Sequence, residues 1–289
     1  MILVNIQFEK YIIASSHINF LFGAGVNGKA FPQLEGFEKT IFELKKRIDD
    51  KYCGFEDSIN FLDQDGQQYV YNVFKEEFKS FSVDYENRSL VHLGQMLSEI
   101  YNIVESTENR QRDMKQINIY TLNYDCIVEE ILSYSGYLNN VISASNLGTN
   151  IKFLDIVGYD YAVRKFIPSF MISKLHGDIE NPIFPGKNKY EASLQADYFE
   201  INYRMKQQLC KYNSILIVIG YSCNDEHINK ILYDCIKHGL VIYWFKFSET
   251  DKVLQNVPEN QLIVFEQNDY KNPIDTTYIC YEKLREINE

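Results

Sequence analysis

Four short stretches of this chain combine residue types that could do chemistry. FGAGVNGKA (Phe22 to Ala30) sets Gly23, Gly25 and Gly28 at the spacing G-x-G-x-x-G after an apolar run. Glycines so spaced let main-chain amides approach a pyrophosphate, with a helix N-terminus adding its dipole. TLNYD (Thr121 to Asp125) offers Asn123, whose amide can orient a water or a ribose hydroxyl; Asn123 or Asp125 could equally cap the helix that follows. KLHGD (Lys174 to Asp178) offers His176, a side chain suited to acid/base work near neutral pH, beside Gly177, which permits a sharp turn. GYSCNDEHI (Gly220 to Ile228) can bring donors from Gly220 and Ser222 to a ribose or phosphate, and Asp225 opens a helix, where its ordinary role is an N-cap.

The near misses narrow the chemistry. Gly23, Gly28 and Lys29 have the spacing of a P-loop, but Ala30 stands where a hydroxyl should reach magnesium. A dehydrogenase would need a second strand ending in an acid about 20 residues after the turn, and that stretch has a helical pattern instead. Asp225, Glu226 and His227 are adjacent on a helix and point in different directions, which is poor metal-ligand geometry. His17, His92, His227 and His238 read as structural. None of the six cysteines forms a C-x-x-C pair, so no metal site is expected, and the thiols read as free in a cytoplasmic protein.

These motifs need elements to hold them. Short apolar runs predict buried strands at Ile18 to Gly25, Ile117 to Asp125, Phe170 to Asp178, Ile215 to Ser222, Val241 to Phe247 and Gln261 to Gln267, and four of them are near-continuous, as suits strands covered on both faces. All four motifs fall at strand C-terminal ends, where open α/β sheets bind ligands. Between Phe37 and about Arg112, apolar residues recur every three or four positions, which predicts a block of helices inserted after the first β-α turn. Tyr137 to Phe166 is expected to hold a small strand pair and a loop, and Asn181 to Ser193 a long surface loop. The expectation is one α/β domain over residues 1–289: a Rossmann-like, mostly parallel sheet flanked by helices (about 14–36 and 113–289), with the helical insertion at about 37–112.

The 289 residues carry 29 basic and 40 acidic side chains, for a net charge of −11. An acidic chain with a pI near 5.0 is not expected to bind nucleic acid through a broad basic face. With 22 Tyr and 19 Phe it is not globally disordered. No run approaches a membrane span, and the N-terminus lacks the pattern of a signal peptide.

Taken in order, the Gly-rich turn, Asn123 in TLNYD, His176 in LHGD and GYS with Asp225 resemble the sirtuin family. Its members carry GAG, Thr-x-Asn-x-Asp, His-Gly and Gly-x-Ser motifs on a Rossmann-like sheet that binds NAD. The resemblance runs from about Ile18 to Ile231, plus the strand at Val241. Two departures stand out: Val26 and Asn27 replace the family deacylases' Ser and Gly-Ile-Pro-Asp-Phe-Arg loop, and the four zinc cysteines are missing. The NYD and GYSCNDEHI forms look like the sirtuin-like domains of bacterial antiphage defence, namely Thoeris effectors and the partners of HerA-type ATPases.

The resemblance implies an NAD glycohydrolase, releasing nicotinamide and starving an infected cell of NAD. It implies that Asn123 orients a water and His176 acts as base. Gly23, Ala24, Gly25 and Asn27 would hold the pyrophosphate, and Thr121, Asp125, Gly220, Ser222 and Asp225 would complete the nucleotide site, with Ser222 and Asp225 toward the adenosine. A homo-oligomer built on the helical block, and a separately encoded ATPase such as a HerA-type translocase, are the implied partners. An NAD-dependent deacylase and an inactive nucleotide-sensing or assembly subunit are the rival readings.

Overall fold

The apolar runs form strands because their side chains are buried on both faces, leaving the main chain to pair only along the sheet. A computed structural model describes residues 8–48, 51–108, 110, 114–143, 158–160, 165–167, 169–184, 191, 193–248, 251–266 and 276–289. In chain order the elements begin with α1 (Lys10–Ser15), β1 (His17–Phe22), a 3-10 turn (Ala24–Asn27), α2 (Glu38–Ile48), α3 (Phe55–Ser58), α4 (Gln64–Ser80) and α5 (Arg88–Ser106). Then come β2 (Ile117–Thr121), α6 (Ile127–Tyr134), β3 (Asn139–Ile142), β4 (Gly158–Asp160), β5 (Lys165–Ile167) and β6 (Phe170–Lys174). The rest is β7 (Gly177–Asp178), β8 (Asn181–Pro182), α7 (Ala196–Leu209), β9 (Ser214–Ile219), α8 (Glu226–Lys237), β10 (Val241–Phe245), β11 (Leu262–Phe265) and α9 (Thr276–Asn288).

Seven strands make one sheet in the order β11-β10-β9-β1-β2-β6-β3, and every neighbouring pair is parallel. The fold is therefore the expected Rossmann-like α/β class. The chain leaves β1 toward β2 on one side and returns through β9 on the other, so the topological switch point lies between β1 and β9.

Alternate strand residues serve opposite faces. Phe20, Ile119, Ile172, Ile217 and Tyr243 pack beneath Leu93, Leu97 and Ile100 of α5, Ile131 of α6 and Ile279 of α9. Leu21, Tyr120, Met171, Leu216 and Trp244 pack against Ile201 and Met205 of α7 and Leu232 of α8. A polar seam fixes the central register: Asn118 Nδ2 donates to Asn19 Oδ1 (3.0 Å), and Asn19 Nδ2 donates to Ser214 Oγ (2.9 Å). Arg110, buried, donates to the carbonyls of Ile13, Ala14, Ser16 and Met114, fastening the end of α1 under the sheet. Burial pushes its pKa down to about 10, still far above neutrality.

Three details depart from the sequence expectation. The Gly-rich turn contains four residues of 3-10 helix, Ala24–Asn27, and does not open a helix long enough for a useful dipole; the chain crosses to α2 first. Within the helical block, Ile41, Leu44, Ile48, Phe55, Ile59 and Val70 keep a small core of their own, whereas α5 lies in the core of the sheet itself. Periodicity reveals that a segment is a helix but not which surface it covers. Finally, β4 and β5 form the anticipated strand pair, while β3 joins the main sheet as an edge strand. Of the Asn181 to Ser193 loop, Asn181–Pro182 forms β8 and Ile183 is buried; residues 185–190 and 192 lie outside the described residues.

Candidate functional site

The sheet register sets the site. Phe22, Thr121, Lys174 and Ile219 are aligned across β1, β2, β6 and β9. Two residues beyond that line stand Ala24, Asn123, His176 and Tyr221. The next peptide in each case is held across the sheet: Leu122 N donates to Phe22 O (2.9 Å), Leu175 N to Thr121 O (2.8 Å) and Gly23 N to Ile219 O (3.0 Å). Asn123 and His176, 53 residues apart in sequence, therefore leave adjacent strands at the same height.

Asn123 is 8% exposed, and its side-chain Nδ2 is buried with no hydrogen-bond partner. Its own amide donates to Thr121 Oγ1 (3.1 Å), so the main chain is fixed without help from the side chain. This is not a helix cap. The capping bond belongs to Asp125, whose Oδ1 accepts from Ile127 N (3.0 Å) while Oδ2 accepts from Asn27 Nδ2 (2.8 Å). Thr121 and Asp125 thus spend their side chains on the protein. Burial raises the pKa of Asp125, against the pull of the Lys174 ammonium. Asn27 keeps its Oδ1 buried without a hydrogen-bond partner, the second such atom at this rim.

His176 is buried, and its Nε2 lies 3.6 Å from Asp225 Oδ1. The Asp225 side chain makes no cap bond to α8, so its carboxylate faces His176 from the helix start. Asp225 thus stands beside the histidine. His227 joins them, its ring centroid 5.5 Å from that of His176. The main chain at His176 is also secured: Ile183 N donates to His176 O (2.8 Å), and Tyr124 Oη donates to Ile183 O (2.7 Å). Gly177 has φ +75°, and a Cβ there would lie 2.1 Å from Asn181 O, so the sharp turn requires glycine.

The Gly-rich turn corrects the sequence reading. Gly23 N and Gly25 N donate to Ile219 O and Gly220 O, so these two amides are spent on the neighbouring loop instead of cradling phosphates. A Cβ on Gly23 would lie 2.3 Å from Gly220 O, and one on Gly25 2.9 Å from Gly220 Cα. The glycines at 23, 25 and 220 let two loops touch main chain to main chain across the switch point. Ala24 and Ser222 remain exposed on the outer side of these loops.

The helical block reaches this rim. Tyr71 Oη donates to Ile179 O (2.9 Å), and Lys75 and Lys79 both pair with Glu180 (2.7 and 2.5 Å), clasping the turn after His176 to α4. A cavity of 220 Å³ opens beside Asp125, walled by Phe31, Phe78 and Phe81. Another, of 710 Å³, lies between α2 and α4 around Arg47 and Tyr69 and touches none of the four motifs, so its size does not make it the site.

Sequence reasoning passed over Lys174 and Glu129. Lys174 ends β6 with its side chain 2% exposed, 2.8 Å from Glu129 of α6, and its ammonium also donates to Asp125 O. A lysine closing an apolar strand, with a glutamate on a largely apolar helix, is the signal that could have found them. Among the described residues no cluster of three or more His, Cys, Asp or Glu side chains could hold a metal ion, and no helix is long and apolar enough to cross a membrane.

A family model described as "SIR2-like domain" matches residues 117–268, just over half of the chain. The match takes in the loops of Asn123, His176 and Gly220 and begins after the Gly-rich turn. No curated protein matches the chain. Similar solved structures include one described as "Structural Basis for the Mechanism and Regulation of Sir2 Enzymes", 11% identical with TM-score 0.46 over 96% of each chain. A Sir2 homologue mutant in complex with ADP ribose is 13% identical, with TM-score 0.48 over 96% of this chain and 95% of that one. A Sir2 mutant with deacetylated p53 peptide and 3'-O-acetyl ADP ribose is 14% identical, with TM-score 0.42 over 96% of each chain.

Proposed function

Because the chain belongs to the SIR2-like domain family, we propose that it hydrolyses NAD to nicotinamide and ADP-ribose, as an abortive-infection effector of antiphage defence. The observation that carries the reading is the pairing of Asn123 and His176 at one height on adjacent strands, with the Asn123 amide buried and lacking a partner. A buried donor left without a partner costs about 1–3 kcal/mol, a cost that a bound ligand or water would remove. Asn27 Oδ1 is a second such atom within the same rim. Both suit a polar ligand lying across the β1, β2 and β6 ends.

NAD supplies a nicotinamide whose departure leaves positive charge on the ribose. The protein's part is to hold the ribose, place one water and accept its proton. Asn123 Nδ2 orients the water or the ribose hydroxyl. His176 receives the proton, and Asp225 at 3.6 Å sets the orientation of its ring and stabilises the charge it gains. One water is consumed, and nicotinamide, ADP-ribose and a proton are released. On this reading Ala24 and Asn27 would face the pyrophosphate, and Gly220 and Ser222 the adenosine. The sequence carries no C-x-x-C pair to match the four zinc cysteines of the family deacylases, and on that ground we prefer hydrolysis to deacylation. Assembly into a homo-oligomer, and partnership with a separately encoded ATPase such as a HerA-type translocase in the cytoplasm, complete the proposal, since an unrestrained NADase would harm its host.

Chromatographic measurement of free nicotinamide, with and without acetylated peptide, tests this. Release from NAD alone is the expected result. Release only with peptide would make the protein a deacylase, and none under either condition, for the chain in any assembly state, would refute both.

A further inference from the structure

Lys174 is a buried cation that the proposed reaction does not use. Burying an ion pair costs several kcal/mol per ion, and apolar residues of like volume often serve stability equally well. A buried Lys174–Glu129 pair is therefore poorly explained as a device for stability. Its geometry offers another use. The ammonium stands between Glu129 on α6 and the main-chain carbonyl of Asp125, with Cys126 Sγ 3.9 Å away. Asp125 in turn accepts from Asn27 of the turn after β1. One cation at the end of β6 thus holds the loop that leaves β2, and through it the turn that leaves β1.

We propose that Lys174 is the positioning residue of the Asn123 loop, fixing by its bond to Asp125 where the Asn123 amide stands relative to His176. As a statement about catalysis it rests on the NAD-hydrolase reading. Burial opposes the charge on Lys174, but Glu129 beside it, with Cys126 and Asp125, outweighs that and holds the pKa above the ordinary lysine value. The ammonium is therefore a permanent donor at neutral pH. Leu175 and Leu122 are tied to neighbouring strands by main-chain bonds alone, whereas Asp125, beyond the last strand bond of β2, has this side-chain tether.

The test is the paired variant Lys174→Met with Glu129→Leu, which removes both charges and leaves neither buried alone. The expected result is a melting temperature within a few degrees of the parent, kcat for nicotinamide release lower by about 10- to 100-fold, and KM within about 3-fold. Misplacing a reacting group by about 1 Å can cost 10²-fold, while the proposed nucleotide contacts at the β9 loop, which Lys174 does not hold, would stay in place. Hydrogen exchange read by mass spectrometry should show amides 122–127 exchanging at least about 10-fold faster, with exchange in β9 and β10 unchanged. If the pair does not fold, Lys174→Met with Glu129→Gln, which also leaves no charge buried alone, carries the same expectation. Parental kcat and parental exchange at 122–127 in whichever variant folds would overturn the proposal. The exchange readout needs no NAD, so wild-type protein inert toward NAD would sink the hydrolase reading while leaving the Lys174 tether to be judged on exchange.

Discussion

Replacing Asn123 with leucine separates what the amide costs the fold from what it does. The side chain is 8% exposed and its Nδ2 has no hydrogen-bond partner, so the folded protein carries a desolvation penalty of about 1–3 kcal/mol there. Leucine has the same branching and no polar atom but is bulkier, and at this rim the extra bulk should cost about 1 kcal/mol. The main chain loses nothing, because Thr121 Oγ1 receives the Asn123 amide and Phe22 O receives the Leu122 amide. The net expectation is stabilisation of about 1 kcal/mol, or roughly 2 °C in melting temperature for a chain of this size. Nicotinamide release should fall by at least about 10²-fold, equivalent to about 2.7 kcal/mol of barrier. Calorimetry and a nicotinamide assay at matched folded concentration read the two effects. If melting temperature and activity fall together, the amide is a structural part of the loop and the reasoning is wrong. Retained activity at a raised melting temperature would remove Asn123 from the chemistry.

Other consequences can be checked as directly. Asp225→Asn keeps the shape of the side chain and should lower kcat by about 10- to 100-fold; equal activity would mean that His176 needs no carboxylate beside it. Gly23→Ala should destabilise the protein by about 1–3 kcal/mol or more with no nucleotide present, since its Cβ would meet Gly220 O at 2.3 Å; urea unfolding without NAD measures it, and parental stability would show that the two loops can part. The Cys210 and Cys235 thiols lie 2.9 Å apart, so a mild thiol oxidant should link them and raise stability by roughly 3 kcal/mol. Peptide mapping would reveal the link, and an unlinked pair under oxidant would contradict the geometry.

The strands were legible because burial on both faces leaves little room for polar residues, and six apolar runs stand out in the chain. β3 escaped because Asn139, Asn140 and Val141 are only half-buried at a sheet edge, where composition is less constrained. His176 and Asn123 could be read from their places at strand ends. Asp225 could not be assigned to His176, since a residue opening a helix has a capping role that satisfies local rules equally well. The Gly-rich turn misled for a related reason: close approach of main chain to main chain and of main chain to phosphate both require glycine, and sequence does not say which surface approaches. Lys174 and Glu129 lie 45 residues apart, and only the fold brings their charges together.

The pairing of β1 with β9 also sets a timetable for synthesis. Asn19 and Ser214, bonded across the switch point, are 195 residues apart in the chain. At roughly 5–20 residues per second, a ribosome takes about 10–40 s to travel between them. Throughout that interval the Gly-rich turn has no partner loop, and one edge of β1 presents unpaired main chain. A nascent chain therefore cannot close the switch point until β9 has been made. The same delay leaves an apolar strand open to wrong partners. Late completion of the sheet and dependence on chaperones would then arise from one topological choice.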